Sequence, residues 1–357
     1  MAKAKVFVFA PAEKDRVGDT LEKLVTQGCE LVQGDADWHN PMGNNEDEIC
    51  AFAENADALM GTSIRSSPIS RRVMEAAADL RIVAKYTIGV DDVDVDAATD
   101  MGILVTHSPT ESNWGGVAEG AFAMMLAILK KVRERDEAMK AGKWRSHDLQ
   151  GTFVGSRVQD DVEGITIGII GLGRIGRRLA TLLAPWRVRI LAYDPFVERA
   201  RFTLHNCIES DLDTLLKESD VITLHVTLNE SSRKMIDAKA FAKMKKTCVF
   251  INSSRGGAVD EPAMIEALET GKIAAAALDV FEHEPLPTDS PLRKMDNRVL
   301  LSAHMVTGNR SSGIFPGAVW AAQCVEKAIK GEVPYHVINS EVLPRWIQRF
   351  GGKNLLE

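Results

Sequence analysis

Three side chains, each just behind an apolar run, carry the chemistry that this sequence can do. His304 ends "RVLLSAH", Arg255 follows "CVFINSS" and Glu284 follows "AAALDVFEH". An imidazole titrates near neutral pH, so it can give or take a proton. A guanidinium presents a planar fork of donors that matches a carboxylate. A carboxylate against the imidazole would hold its orientation and favour its protonated form. Together they suit the reduction of a 2-oxo acid, in which the carbonyl oxygen takes a proton while hydride reaches the carbon. Glu282 lies in the same short loop as Glu284 and competes for the place beside the imidazole. His225 and His283 are close in sequence and read as supporting or solvated.

For such residues to converge, each must stand at the carboxyl end of a strand in one parallel sheet. The chain has that grammar. Short β-branched runs alternate with longer helical patterns, the pattern of an α/β protein with a parallel sheet between helices. "KVFVFA", "ADALMGT", "RIVAKYT" and "ILVTH" read as strands, with a Ser/Pro-started helix at "SPISRRVMEAAAD". One long helical pattern, "GGVAEGAFAMMLAILKKVRERDEAMKAGKW", is placed to leave one domain and enter the next. A polar loop, "RSHDLQGTFVGSRVQDDVEG", follows it. A second βα series then runs from Ile165 to "RVLLSAH", and "SSGIFPGAVWAAQCVEKAIKGEVPYHVIN" reads as a helix and tail.

The second series opens on a nucleotide signature. "GLGRIG" gives Gly171, Gly173 and Gly176 in the G-x-G-x-x-G pattern, behind an apolar strand and at the start of an amphipathic helix. Gly171 permits the tight turn, Gly173 lets the backbone approach a pyrophosphate, and Gly176 lets helix and strand pack closely. The phosphate would sit at the helix N-terminus, against Arg174 and Ile175; the Arg174 side chain reads equally as a phosphate contact or as solvated. Asp194 follows Gly176 by eighteen positions, close to the spacing expected of an acid on the ribose hydroxyls. A carboxylate there repels a 2′-phosphate, so NAD is expected rather than NADP. Flavin is the weaker alternative, because the motif sits in mid-chain.

Composition narrows the class further. A chain of 357 residues suggests two domains. Its net charge of −7 argues against nucleic acid or an anionic membrane as the main partner. No run reaches the roughly 18 apolar residues that a membrane span needs, and "MAKAKVFVFAP" reads as a first strand rather than a signal peptide. The five cysteines are scattered without a C-x-x-C pair, so neither a disulfide framework nor a metal site is expected. A reducing compartment, the cytoplasm, follows.

The ordered set "GLGRIG", "NSSRGGAVDEPAMIEAL" and "AALDVFEHEP", then a histidine at a strand end, resembles the D-isomer-specific 2-hydroxyacid dehydrogenases over nearly the whole chain. That family includes phosphoglycerate, glycerate, D-lactate and formate dehydrogenases. The resemblance implies NAD-dependent interconversion of a D-2-hydroxy acid and its 2-oxo acid. Arg255 would bind the substrate carboxylate, His304 would be the general acid/base, and Glu284 rather than Glu282 would support it. Asp279 matches a residue near the nicotinamide carboxamide. The implied fold has two Rossmann-like or flavodoxin-like domains with doubly wound parallel sheets. Residues 1–108 plus 310–357 would form a discontinuous substrate domain and residues 109–309 the NAD-binding domain, crossover helix included, usually as a homodimer. Two domains would close on NADH and a 2-oxo acid.

Within the substrate domain, "GTSIRSSPIS" corresponds to a carboxylate-holding loop that contains Ser63 and Arg65. Arg65 would meet a second anion or stay solvated, and Trp114 would roof a pocket or pack the hinge. The chain departs from the family pattern at Ala303, where proline commonly precedes the histidine, at Asp92, where asparagine is common, and at Thr227, where proline is common. A rival reading is an NAD(H)-sensing binding protein that resembles the C-terminal-binding corepressors, which retain the same residues.

Overall fold

Near-continuous apolar runs of four to six residues can bury both faces only as strands of a parallel sheet covered on both sides. The computed structural model, which describes residues 4–11, 17–36, 43–62, 68–157, 159–308 and 314–356, forms two such sheets. The chain divides into two units, Met1–Asn113 with Asn309–Glu357, and Trp114–Gly308.

Unit 1 holds β1 (Lys5–Ala10), β2 (Glu30–Gln33), β3 (Ala58–Gly61), β4 (Ile82–Lys85) and β5 (Leu104–Thr106). They are ordered β2-β1-β3-β4-β5 with all pairs parallel, the flavodoxin-like arrangement. β1, β3 and β4 are buried almost throughout. On one face Val6, Val8, Met60 and Ala84 pack with Ala318, Ala321, Val325 and Ala328 of the helix Phe315–Ile329. On the other, Phe7, Leu59, Val83 and Val105 pack with Ile49, Val73 and Ala97. Each of the larger aliphatic side chains contributes about 1.5–3 kcal/mol by its burial. β2 escaped the sequence reading because "ELVQ" is short and only partly buried. The segment after the last long helix also contributes to pairing: Val337 forms an antiparallel bridge with Thr106 and lies along the edge at β5.

The long helical pattern is two helices rather than one. Glu111–Leu129 stops, and Val132–Lys140 begins after Lys131, whose φ of +52° is left-handed. Both halves have helix-forming composition, so periodicity alone ran across the break. No helix among the described residues is long and apolar enough to cross a membrane.

Unit 2 holds β6 (Thr166–Ile170), β7 (Arg189–Tyr193), β8 (Ile208–Glu209), β9 (Val221–Leu224), β10 (Val249–Asn252), β11 (Ala275–Leu278) and β12 (Val299–Leu301). The order is β12-β11-β10-β9-β6-β7-β8 and every pair is parallel. Chain order reverses between β6 and β9, so the crevice outside the carboxyl ends of those strands is the place for a ligand.

Candidate active site

β6 runs into Gly171, whose φ is +93°. A Cβ there would lie 2.5 Å from the carbonyl oxygen of His225 at the end of β9, and one on Gly176 would lie 2.2 Å from the Gly171 oxygen. Both positions are closed to any side chain by backbone. At Gly173, the N-cap of the helix Arg174–Leu183, a Cβ would meet nothing within 4 Å, and no side chain caps that helix. Packing does not require glycine at 173, but a ligand reaching the helix N-terminus would.

Asp194, just after β7, reaches back into this loop. Its Oδ2 accepts from Leu172 N at 2.8 Å and its Oδ1 from Phe196 N at 3.0 Å. Each oxygen keeps a lone pair for a further donor. The carboxylate thus also ties the end of β7 to the glycine loop, which spacing alone did not show. His225 is buried, its Nε2 meets Thr223 Oγ1 at 2.9 Å, and burial pushes its pKa down to about 4. A neutral imidazole at working pH makes it a poor proton donor beside this crevice.

Arg255, Asp279, Glu284 and His304 follow β10, β11 and β12, on the same carboxyl edge. Arg255 is half-buried, and its Nη1 donates to the Ser254 carbonyl at 2.6 Å. His304 Nδ1 meets Glu284 Oε2 at 2.9 Å, while Glu284 Oε1 accepts from Phe281 N at 3.1 Å. Glu282 is turned elsewhere: its backbone N donates to Glu261 and its carboxylate lies 3.2 Å from Lys234 Nζ. Of the two competing acids it is therefore Glu284 that meets the imidazole. His283 is exposed and Trp114 half-buried.

The imidazole is positioned from below by Asp279. His304 has a φ of +56°, a left-handed conformation uncommon outside glycine. Its N–H donates to the Asp279 carbonyl at 2.8 Å, and Met305 N donates to Asp279 Oδ1 at 2.8 Å. Val306 N reaches Oδ2 at 3.4 Å. Asp279 is almost fully buried, and burial raises its pKa despite these donors. The family resemblance implies a place near a cofactor for Asp279; the structure adds that it clamps the turn that carries His304.

Ser63 and Arg65 lie outside the described residues. Unit 1 nonetheless shows a feature that sequence reading missed, the turn Thr87–Asp91 after β4. The carbonyls of its first four residues are occupied: Ser108 N donates to Thr87 O (3.0 Å), His107 Nδ1 to Ile88 O (3.1 Å), Thr87 Oγ1 to Gly89 O (3.0 Å) and Val93 N to Val90 O (2.9 Å). Among the described residues the N–H groups of Ile88, Gly89 and Val90 have no acceptor. Successive unsatisfied N–H groups in a turn favour an anion. The signal in the sequence was "YTIGVDD", a glycine turn directly behind an apolar strand. Among the described residues no group of three or more His, Cys, Asp or Glu could hold a metal ion.

The family model described as "D-isomer specific 2-hydroxyacid dehydrogenase, NAD binding domain" matches residues 122–306. A glyoxylate reductase of Thermofilum pendens is 35% identical over 324 residues, 90% of this chain and 91% of its own. A D-3-phosphoglycerate dehydrogenase of Archaeoglobus fulgidus is 37% identical over 286 residues, 80% of this chain and 52% of its own. The chain thus spans about half the length of that relative and about nine-tenths of the other. Among solved structures, a glyoxylate reductase from Paecilomyes thermophila superimposes with a TM-score of 0.80 at 25% identity, covering 96% of this chain and all of that one.

Proposed function

Because the chain belongs to the D-isomer-specific 2-hydroxyacid dehydrogenases, we propose that it is an NAD-dependent enzyme that interconverts a D-2-hydroxy acid and its 2-oxo acid. The observation that carries this reading is the His304 Nδ1–Glu284 Oε2 bond of 2.9 Å on the carboxyl edge that also bears the glycine loop. The open space at Gly173, the uncapped helix start and the Asp194 carboxylate fit a dinucleotide, with phosphate on the first turn at Arg174, Ile175 and Gly176 and ribose hydroxyls on Asp194. The nicotinamide, when bound, supplies or accepts the hydride at the substrate's C2.

The protein's own groups do the rest. Glu284 takes the Nδ1 proton of His304 as a hydrogen bond, so the ring presents Nε2 to the substrate. In reduction, His304 gives its Nε2 proton to the carbonyl oxygen and is left neutral; in oxidation it takes the hydroxyl proton. Glu284 stabilises the imidazolium form that this requires. Arg255, fixed by its bond to Ser254 O, binds the substrate carboxylate. Asp279 keeps the turn under His304 in place and lies near the carboxamide. In unit 1 the N–H groups of Ile88, Gly89 and Val90 suit an anion, and Ser63 and Arg65 are assigned to a separate carboxylate-holding loop, residues 61–70.

Val132, Met139, Trp144 and Phe153 are exposed apolar side chains within 22 residues of unit 2. We assign this stretch to a homodimer interface. Sedimentation velocity should then read twice the chain mass of 39.1 kDa; a monomer at micromolar concentration would refute it. We assign the enzyme to a reducing compartment, the cytoplasm, on its five scattered cysteines without a C-x-x-C pair.

The test is a spectrophotometric panel. Purified protein with NADH is offered glyoxylate, pyruvate, hydroxypyruvate, phosphohydroxypyruvate, 2-oxoglutarate and branched or aromatic 2-oxo acids, with NADPH as control. Turnover with NADH on one or more is expected, and the preferred acid shows whether Arg65 meets a second anion. Tight NADH binding without turnover on any would favour the sensing protein instead.

A further inference from the structure

Lys85, the last residue of β4, is fully buried, which is rare for a lysine. Its ammonium donates to the Thr62 carbonyl at 2.7 Å and to Asp92 Oδ2, and it stands 5.2 Å from the Phe9 ring centroid. Asp92 is itself more than nine-tenths buried. Its backbone carbonyl accepts from Ile69 N at 2.7 Å, and Asp94 N returns to Ile69 O at 3.0 Å. The ion pair therefore joins three stretches of unit 1: the end of β3 at Thr62, the end of β4, and the chain at Ile69–Val93, where a parallel bridge forms.

The turn Thr87–Asp91, with the N–H groups of Ile88, Gly89 and Val90 presented and the carbonyls of its first four residues occupied, hangs between the two charged residues. Lys85 stands on the rigid strand at one end and Asp92 at the other. A bond between their side chains fixes the span that the intervening residues must cross, and so the direction in which Ile88, Gly89 and Val90 point their N–H groups. Apolar residues of equal volume would fill the same space, but their contacts have no direction and would leave the span free to slide.

We propose that the buried Lys85–Asp92 pair is a positioning device for this turn, and that through it the pair sets the enzyme's affinity for the substrate's carboxylate. The second part rests on the dehydrogenase reading above. Neither residue is given a part in the chemistry itself.

The decisive variant is Lys85→Met/Asp92→Asn, which removes both charges of this pair together. With glyoxylate and NADH, the KM for glyoxylate should rise at least tenfold. The kcat at saturation should stay within threefold and NADH affinity within twofold. Asp92→Asn alone keeps an acceptor for the ammonium and should show a smaller rise. If the double variant melts like the parent and its KM is within twofold, the pair is only structural and the proposal is wrong.

A second readout is independent of turnover. Ile69, Val93 and Ser108 donate their N–H groups to Asp92, Val90 and Thr87, so their amide exchange reports the turn itself. Exchange should be at least tenfold faster in Asp92→Asn, while the amides of β1 and β3 stay unchanged. Unchanged exchange at all three overturns the proposal even if no 2-oxo acid is ever turned over. Faster local exchange with no activity in the parent would uphold the positioning role and reject the dehydrogenase reading.

Discussion

His304→Gln is expected to lower kcat by about 10³-fold, within the range that a positioned general acid contributes, while the affinity for NADH stays within twofold. Glutamine fills much the same space, and its amide can donate to Glu284 Oε2 as the imidazole does at 2.9 Å. It has no titrating proton, so nothing is delivered to the carbonyl oxygen as hydride arrives. The main chain should not move, because the turn is held through backbone atoms by Asp279 rather than by the ring. Steady-state turnover of the best 2-oxo acid, beside a fluorescence titration with NADH, separates the two quantities. Residual kcat above a tenth of the parent's would remove His304 from the acid/base role, and lost NADH binding would show that the substitution had disturbed the crevice instead.

Gly256→Ala is the second substitution with a large expected effect, and it reaches the site without touching substrate. A Cβ at residue 256 would stand 1.9 Å from both the carbonyl carbon and oxygen of Phe281 and 2.4 Å from Glu282 N. All three are backbone atoms, so no side chain can swing away to relieve the clash. The loop behind β10, which carries Arg255, and the loop behind β11, which carries Glu284, must move apart. Overpacking of this kind costs about 3 kcal/mol or more when backbone has to shift. Displacing a catalytic group by about 1 Å costs on the order of 10²-fold in rate. The adjacent Gly257→Ala is the control, since its Cβ would meet only the Leu228 side chain, at 3.1 Å. It should stay within about 1 kcal/mol of the parent. Urea unfolding and kcat/KM on the two variants test the contrast, and equal behaviour would refute the claim that the two loops are locked together at this glycine.

What could be read in the sequence was whatever a short window contains. "GLGRIG" lies between an apolar strand and an amphipathic helix, and that context is local. The runs "CVFINSS", "AAALDVFEH" and "RVLLSAH" each place a polar residue behind a strand, and parallel pairing then brings strand ends to one edge whatever their separation in the chain. The residue types, their order and the α/β class were legible for this reason. The break at Lys131 was not, because helix-forming residues flank it on both sides and only its φ of +52° interrupts the run.

Other features depend on contacts between distant residues, where local pattern carries no information. Glu282 and Glu284 are indistinguishable by type and by loop; Lys234 and Glu261 draw one away and leave the other to His304. Asp279 was legible as an acid behind β11, but not as the clamp on a turn behind β12. Lys85 read as one more residue of an apolar strand until Thr62 and Asp92 closed around its ammonium. The sequence by itself determined which chemical groups stand at the carboxyl ends of the strands. The tertiary structure decided which of those groups meet, because hydrogen bonds and ion pairs are selected by distance and direction in space.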